Sequence, residues 1–431
     1  MQLTADLQSR GLLSQASSPD LDARLTQLAQ KQTPVAYAGF DPTADSLHVG
    51  SLVPIIGLMH AQRNGIQPIA VVGGATGLIG DPSGKSAERQ LLTKEKVAEN
   101  VAGIRRVFAK FLDFNHPTAP ALIVNNLDWF GPMSAIDFLR DVGKHFRVGP
   151  MLSKESVKAR MESSDEGMSY TEFSYQLLQG YDFYRLYKDR RCVLQLGGSD
   201  QWGNITAGID VIRKLEGESG HAFGLTMPLI TTSSGAKFGK SEGNAVWLTD
   251  DRTTPFDFYQ FWLRTEDADV AKYLAMFTFL PMTEVNAIVA DHQKSPDQRL
   301  AQKRLAAEIT TLVHGKETLE KVISASQTLY SSPSTELDAS AIEALITQGV
   351  PSITVDRAKL DAGYLVIDAC IDTGLAKTKS DARRLMQQGG LSLNNTPVSD
   401  PASTITPASL IANRAAVLRS GKRNYRLIES Q

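Results

Sequence analysis

From residue 35 to residue 248 the chain alternates short apolar runs with longer stretches of helical periodicity, and this rhythm leaves few folds open to it. The runs at 69–72, 121–124 and 193–196 are continuously apolar, as in strands buried on both faces. Each gives way to glycine or polar turn residues and then to an amphipathic segment. The expected product is an α/β domain with a doubly wound parallel sheet, which binds ligands at the carboxyl ends of its strands. Asp41, Asp81 and Asp200, each near glycines, follow predicted strands and mark that edge.

A chain of 431 residues exceeds one ordinary core. The α/β domain is expected over 1–250. Leucine, alanine and isoleucine at helical spacing then predict a helical domain over 251–330, and serines around Pro333 open a linker region over 331–362. Residues 363–431 read as a small α+β unit. It holds nine basic residues, Lys377, Lys379, Arg383, Arg384, Arg414, Arg419, Lys422, Arg423 and Arg426, against five acidic ones, so it carries +4 and the remainder −6. With 45 basic and 47 acidic residues overall, the chain is no general polyanion binder, and any nucleic-acid contact must be local.

Cys192 and Cys370 fit neither a disulfide framework nor a zinc site, which points to a reducing compartment. Residues 1–15 lack a basic segment followed by an apolar core, and no run of about 18 apolar residues occurs. The expectation is a soluble, cytoplasmic protein without membrane contact and without a protein-bound metal.

Two segments carry the chemistry. In Tyr37-Ala38-Gly39-Phe40-Asp41-Pro42-Thr43-Ala44-Asp45-Ser46-Leu47-His48-Val49-Gly50 a short run ends in a polar turn, and a helix opens at a histidine beside a glycine. Such a helix start offers free N–H groups and a positive dipole end to phosphate. In Lys237-Phe238-Gly239-Lys240-Ser241 two lysines flank a glycine in a loop of small residues, able to neutralise charge on a polyphosphate. Neither this loop nor residues 73–86 is a P-loop, because Ser234 and Ile79 stand where its first glycine belongs. Nor does 73–80 have the GxGxxG order of a dinucleotide fold.

Together, His48-Val49-Gly50-Ser51 and Lys237-Phe238-Gly239-Lys240-Ser241 resemble the two signatures of class I aminoacyl-tRNA synthetases. Residues 37–50, 73–86, Tyr175-Gln176-Leu177-Leu178-Gln179-Gly180-Tyr181-Asp182 and Leu196-Gly197-Gly198-Ser199-Asp200-Gln201-Trp202-Gly203-Asn204 are similar to the bacterial tyrosyl-tRNA synthetases. The resemblance implies a Rossmann-like catalytic domain binding ATP and tyrosine. It puts Tyr37 and Asp182 on the phenolic hydroxyl, Tyr175, Asp81 and Gln179 on the α-ammonium group, and Gln201 near the carboxylate. It places Asp200 and Gly198 at the ATP ribose, Asp41 on the adenylate side, and Thr43, His48 and Gly50 near the phosphates. His48, Thr43, Lys237, Lys240 and Ser241 would act on the transition state. The spacing of Tyr175, Gln179 and Asp182 by itself puts all three on one helix face.

The implied reaction joins tyrosine to tRNA(Tyr) through tyrosyl-adenylate, with magnesium accompanying ATP and the enzyme a homodimer. Residues 380–394 resemble a small RNA-binding domain first named from a ribosomal protein, which would aim Arg383 and Arg384 at RNA phosphates. Asp165 and Glu166 match nothing and read as surface residues. Two rivals share these motifs: a sister enzyme for tryptophan, against which Tyr37 and Asp182 argue, and a non-catalytic RNA-binding relative. One departure stands out, since the first signature often ends in a second histidine and this chain has Ser51 there.

Overall fold

The computed structural model describes residues 1–83, 92–162, 167–217, 220–233, 235, 238–241, 244–330, 339–347, 349–421 and 424–431. Asp165, Glu166, Lys237, Lys422 and Arg423 lie outside the described residues. Contacts group the chain into two units, Met1–Thr249 with Thr265–Leu305, and Asp250–Arg264 with Ala306–Gln431.

The first unit is built on six strands: β1 (Gln15–Ala16), β2 (Val35–Phe40), β3 (Gln67–Val72), β4 (Leu122–Asn125), β5 (Cys192–Gly198) and β6 (Phe223–Met227). Their order is β1-β6-β5-β2-β3-β4. Five run parallel, and β1 closes one edge antiparallel to β6. The chain winds outward from β2 to β4 and then returns to β5 on the other side of β2. The crevice between the carboxyl ends of β2 and β5 is therefore the switch point at which such sheets bind ligands. Val35, Ala36, Tyr37, Ile69, Ala70, Leu194 and Leu196 are all buried, as expected for strands covered on both faces. A short hairpin, β7 (Lys240–Ser241) with β8 (Asn244–Ala245), contains the last two residues of the second signature.

The helices between 251 and 330 do not form one body. Asp267–Phe277 and Met282–Lys294 belong to the first unit, Pro255–Leu263 and Lys316–Tyr330 to the second, and Leu300–His314 crosses the boundary. Periodicity reveals that a helix has an apolar face, not which core that face covers.

In the second unit five strands, β9 (Ser352–Val355), β11 (Leu391–Leu393), β12 (Thr396–Pro397), β14 (Ala415–Ser420) and β15 (Asn424–Ser430), follow the order β12-β11-β14-β15-β9, while β10 (Tyr364–Leu365) pairs with β13 (Thr404–Ile405). Asn394 and Asn395, at φ of 48° and 65°, make the two-residue turn between β11 and β12. Residues 339–362, expected as linker, include helix Ala339–Thr347 and β9, which pairs in parallel with β15, and Val355 and Leu360 lie in the terminal core. A polar composition signalled a boundary there, but β9 draws its pairing from a strand some 70 residues later, which no local pattern announces.

Candidate active site

Helix Tyr170–Arg190 is capped by Ser169, whose hydroxyl accepts from the Glu172 N–H, and it turns Tyr175 and Asp182 inward as buried polar residues. A buried carboxylate needs partners, and Asp182 has two: Asn126 Nδ2 donates to its Oδ2 at 3.0 Å and Trp129 Nε1 to its Oδ1 at 2.8 Å. Burial nevertheless pushes its pKa up to about 8, against the pull of both hydrogen bonds and with help from the charge on Asp41. Tyr37 projects from β2 with its ring 5.3 Å from that of Phe183. Burial and the Asp182 charge hold its phenol well above the usual range. Its hydroxyl is buried and has no hydrogen-bond partner among the described residues. Such a group costs about 1–3 kcal/mol when left unpaired, so the pocket is built to receive something polar.

Asn126 is the connecting residue. Its Nδ2 also donates to Thr76 Oγ1 at 3.1 Å, and its Oδ1 accepts from the Ala75 N–H at 2.7 Å. Thr76 in turn donates to Asp41 Oδ1 at 2.8 Å, and the Tyr175 hydroxyl donates to Asp41 Oδ2 at 3.0 Å. An unbroken set of hydrogen bonds thus runs from Asp182 to Tyr175. Gly73 makes room for it, since a Cβ there would lie 2.2 Å from Thr76 Oγ1 and 2.4 Å from Asp41 Oδ1. Asp41, expected beside the nucleotide, is here the acceptor for Tyr175.

A second set joins the residues expected at the α-ammonium group and the carboxylate. Gln201 Nε2 donates to Asp81 Oδ2 at 2.7 Å, while Asn204 Nδ2 donates to Gln179 Oε1 at 2.9 Å and Gln201 Oε1 at 3.2 Å. Burial first, and then the charge of Asp41, raise the Asp81 pKa to about 6. Asp41, Asp81 and Asp182 therefore form a coupled acidic pocket in which a cationic group would be welcome. Asp200 lies in the short turn Ser199–Gln201 that follows β5, and its Oδ2 accepts from Gln201 Nε2 at 3.4 Å.

At the other end of the segment after β2, His48 caps a short turn, Val49–Ser51, that leads into helix Leu52–Arg63. Its Nδ1 accepts from the Gly50 N–H at 3.0 Å, and a Cβ on Gly50 would lie 2.7 Å from the ring. The second signature reaches the first through the backbone: Val49 N–H donates to Val246 O at 2.9 Å, and Val246 N–H to Gly239 O at 3.0 Å. Phe238 anchors this loop, buried in a stack on Phe277 at 5.3 Å and edge-on to Tyr273 at 5.1 Å. Thr43 N–H donates to Asp41 O at 2.9 Å, closing the turn between the two ends.

Sequence reasoning missed Asn126, Thr76, Trp129 and Asn204. The available signal for the first was a pair, Asn125-Asn126, at the carboxyl end of β4, the edge already marked by the acidic residues. In the second unit, Arg383 and Arg384 are exposed on helix Lys379–Gln387, and Arg384 pairs with Asp381 at 2.9 Å. Part of the basic surplus is consumed internally, Lys379 by Asp368, Arg414 by Glu343 and Arg426 by Asp257.

Residues 29–331 match the family of class I tRNA synthetases for tryptophan and tyrosine (W and Y), and residues 341–428 match the tyrosine–tRNA ligase SYY-like C-terminal domain. The chain is 48% identical to the tyrosine–tRNA ligase of Flavobacterium johnsoniae and to tyrosine–tRNA ligase 1 of Bacillus subtilis, in each case over 99% of both chains. A C-terminally truncated mitochondrial tyrosyl-tRNA synthetase from Coccidioides posadasii superposes with a TM-score of 0.64 at 34% identity, covering 75% of this chain and 91% of that one. A tryptophanyl-tRNA synthetase from Encephalitozoon cuniculi, at 10% identity and a TM-score of 0.53 over 80% of this chain and 92% of its own, shares the fold. The α/β fold with its small C-terminal sheet and the near full-length likeness lead to one assignment: the chain belongs to the tyrosine–tRNA ligases among the class I aminoacyl-tRNA synthetases.

Proposed function

We propose that this chain activates tyrosine with ATP and transfers it to the 3′ end of tRNA(Tyr), with the phenol read by Tyr37 and Asp182. The observation that carries the reading is the buried Tyr37 hydroxyl without a partner, beside a carboxylate fixed by Asn126 and Trp129. Phenylalanine would leave these groups unpaired. The resulting discrimination, about 10⁴–10⁵, is the magnitude already known for tyrosine-specific synthetases. Asp81, Gln179 and Tyr175 hold the α-ammonium group, and Gln201 orients the carboxylate.

A tyrosine carboxylate oxygen then attacks the α-phosphorus of ATP, which enters as its magnesium complex, and pyrophosphate leaves. A ribose hydroxyl of the tRNA next attacks the tyrosyl carbonyl, releasing AMP. No protein nucleophile is needed, so positioning and charge stabilisation supply the rate. Gly198 and Asp200 face the ribose, Asp41 and Thr43 border the adenylate, and Gly50 with His48 leaves the helix start open to phosphate. Lys237, Lys240 and Ser241 act on the charge developing between α- and β-phosphates. Arg383 and Arg384 contact the tRNA backbone. A homodimer is part of the same proposal, as the resemblance implies; Ile136, Val148 and Tyr170, exposed at 70%, 61% and 68%, are apolar side chains available to a partner. A cytoplasmic site suits the substrates, and no described helix is long and apolar enough to cross a membrane.

The test is tyrosine-dependent exchange of pyrophosphate into ATP. Exchange is expected with tyrosine and not with tryptophan, and its absence would favour a non-catalytic relative. Lys240→Ala should slow tyrosyl-adenylate formation far more than it weakens tyrosine binding, and His48→Ala should cost more than Ser51→Ala.

A further inference from the structure

Helix Leu52–Arg63 begins at the His48 turn and ends, about 18 Å away at 1.5 Å per residue, in a different pocket of about 390 Å³. We infer that this second pocket, lined by Asp6, Arg10, His60, Arg63, Asn64 and Phe279, binds a small phosphate-type oxyanion.

The argument is one of uncompensated charge. Arg63 lies over the Phe279 ring with its guanidinium carbon 3.6 Å from the centroid, which fixes the planar group and leaves its N–H edge available. Burial and the neighbouring Arg10 both lower its pKa, and no carboxylate offsets them. Arg10 spends its terminal nitrogens on the carbonyls of Ala275, Thr278 and Leu280, which are neutral partners. Asp6 is the single acid on the lining, and one of its oxygens already accepts from Asn64 Nδ2 at 2.9 Å.

Between them sits His60, 4% exposed, with its ring 4.8 Å from that of Phe279. Its Nε2 is buried and has no hydrogen-bond partner among the described residues. Burial, reinforced by Arg10, lowers its pKa to about 4, so the ring is neutral at pH 7. Two guanidinium groups, one carboxylate and a neutral imidazole leave one net positive charge around a polar cavity. A tetrahedral oxyanion answers that arrangement, since its several oxygens can accept from Arg63 and an imidazole N–H at once while supplying the missing charge. A carboxylate, with two coplanar oxygens, satisfies fewer of these donors.

The experiment follows the His60 ring by NMR in the full chain with labelled histidine, its resonance assigned from His60→Gln. Addition of inorganic phosphate is expected to shift that resonance saturably and to raise the His60 titration midpoint by about one pH unit, a tenfold gain in proton affinity. Acetate at equal ionic strength should move it far less. Arg63→Met, which keeps a side chain over Phe279, should abolish the phosphate response without changing tyrosine-dependent exchange, and Arg63→Lys should restore part of it. A resonance indifferent to phosphate overturns the inference, as does a response that survives Arg63→Met or is matched by acetate.

Discussion

Gly239 lies against Val49: a Cβ on the glycine, whose φ is +84°, would stand 2.7 Å from Val49 Cγ2. The centre of the second signature thus rests on the centre of the first, and the glycine is required both by its left-handed backbone and by the closeness of that approach. Gly239→Ala should strain this contact by about 1–2 kcal/mol, slowing tyrosyl-adenylate formation about tenfold. Tyrosine affinity should be unaffected, because Tyr37 and Asp182 are not touched. Single-turnover kinetics separates the two, and an equal loss in both would mean that the contact only supports the fold.

Asn126 ties the Asp182 carboxylate to Thr76 and to the Ala75 N–H. Its amide holds Asp182 Oδ2 and Thr76 Oγ1 together, so Asn126→Ala frees a buried carboxylate oxygen to rotate. The expected cost is about 1–3 kcal/mol in tyrosine binding, with reduced preference for tyrosine over phenylalanine. Exchange assays with each amino acid measure that ratio, and an unchanged ratio would leave Trp129 as the residue that positions Asp182.

How much of this was legible beforehand depends on how local each signal is. β3, β4 and β5 announced themselves as the apolar runs at 69–72, 121–124 and 193–196, but β4, at the edge of the sheet, is half-buried along its length and not covered on both faces. β6 did not, because Gly224 interrupts it; the glycine is needed because a Cβ there would lie 2.3 Å from Ile205 Cγ2 of the covering helix. His48, Tyr37 and Asp182 were marked through motif resemblance, and the structure buries Tyr37 and Asp182 and sets His48 at the turn before helix Leu52–Arg63. Asn126 and Asn204 were not, since an amide earns its role from partners far away in sequence. Asp41 was visible as a residue but not as the acceptor for Tyr175, a contact that spans 134 positions.

The terminal unit offers a test of where it begins. Because β9 pairs with β15, a chain cut at residue 363 would leave β9 without its partner strand. A chain ending at residue 330 removes the whole sheet and should retain tyrosine-dependent exchange while losing tRNA charging. A chain ending at 362 should aggregate or unfold at lower temperature than the shorter one. Thermal denaturation of both, with exchange and charging assays, decides the matter; normal charging by the shorter chain would remove Arg383 and Arg384 from the RNA interface.

The acidic pocket makes stability depend on pH in a predictable direction. Asp182 and Asp81 are raised from 3.8 to about 8 and about 6, so the folded chain keeps protons that the unfolded chain releases. Their contribution is full below the unfolded value and is lost as pH rises to each folded value. His60, lowered from 6.5 to about 4, acts oppositely, because the unfolded chain binds the proton there and stability gains as pH rises between those values. It therefore offsets one carboxylate at acid pH. Between 6.5 and 8 Asp182 acts alone among these three, and each pH unit should cost about 1.4 kcal/mol of unfolding free energy. Asp182→Asn should remove that slope and, between about 4 and 6, leave Asp81 and His60 opposing each other so that stability there is nearly flat. Urea denaturation of both proteins across this range gives the difference directly; parallel curves would show that Asp182 is ionised in the empty pocket, with Asn126 and Trp129 outweighing its burial.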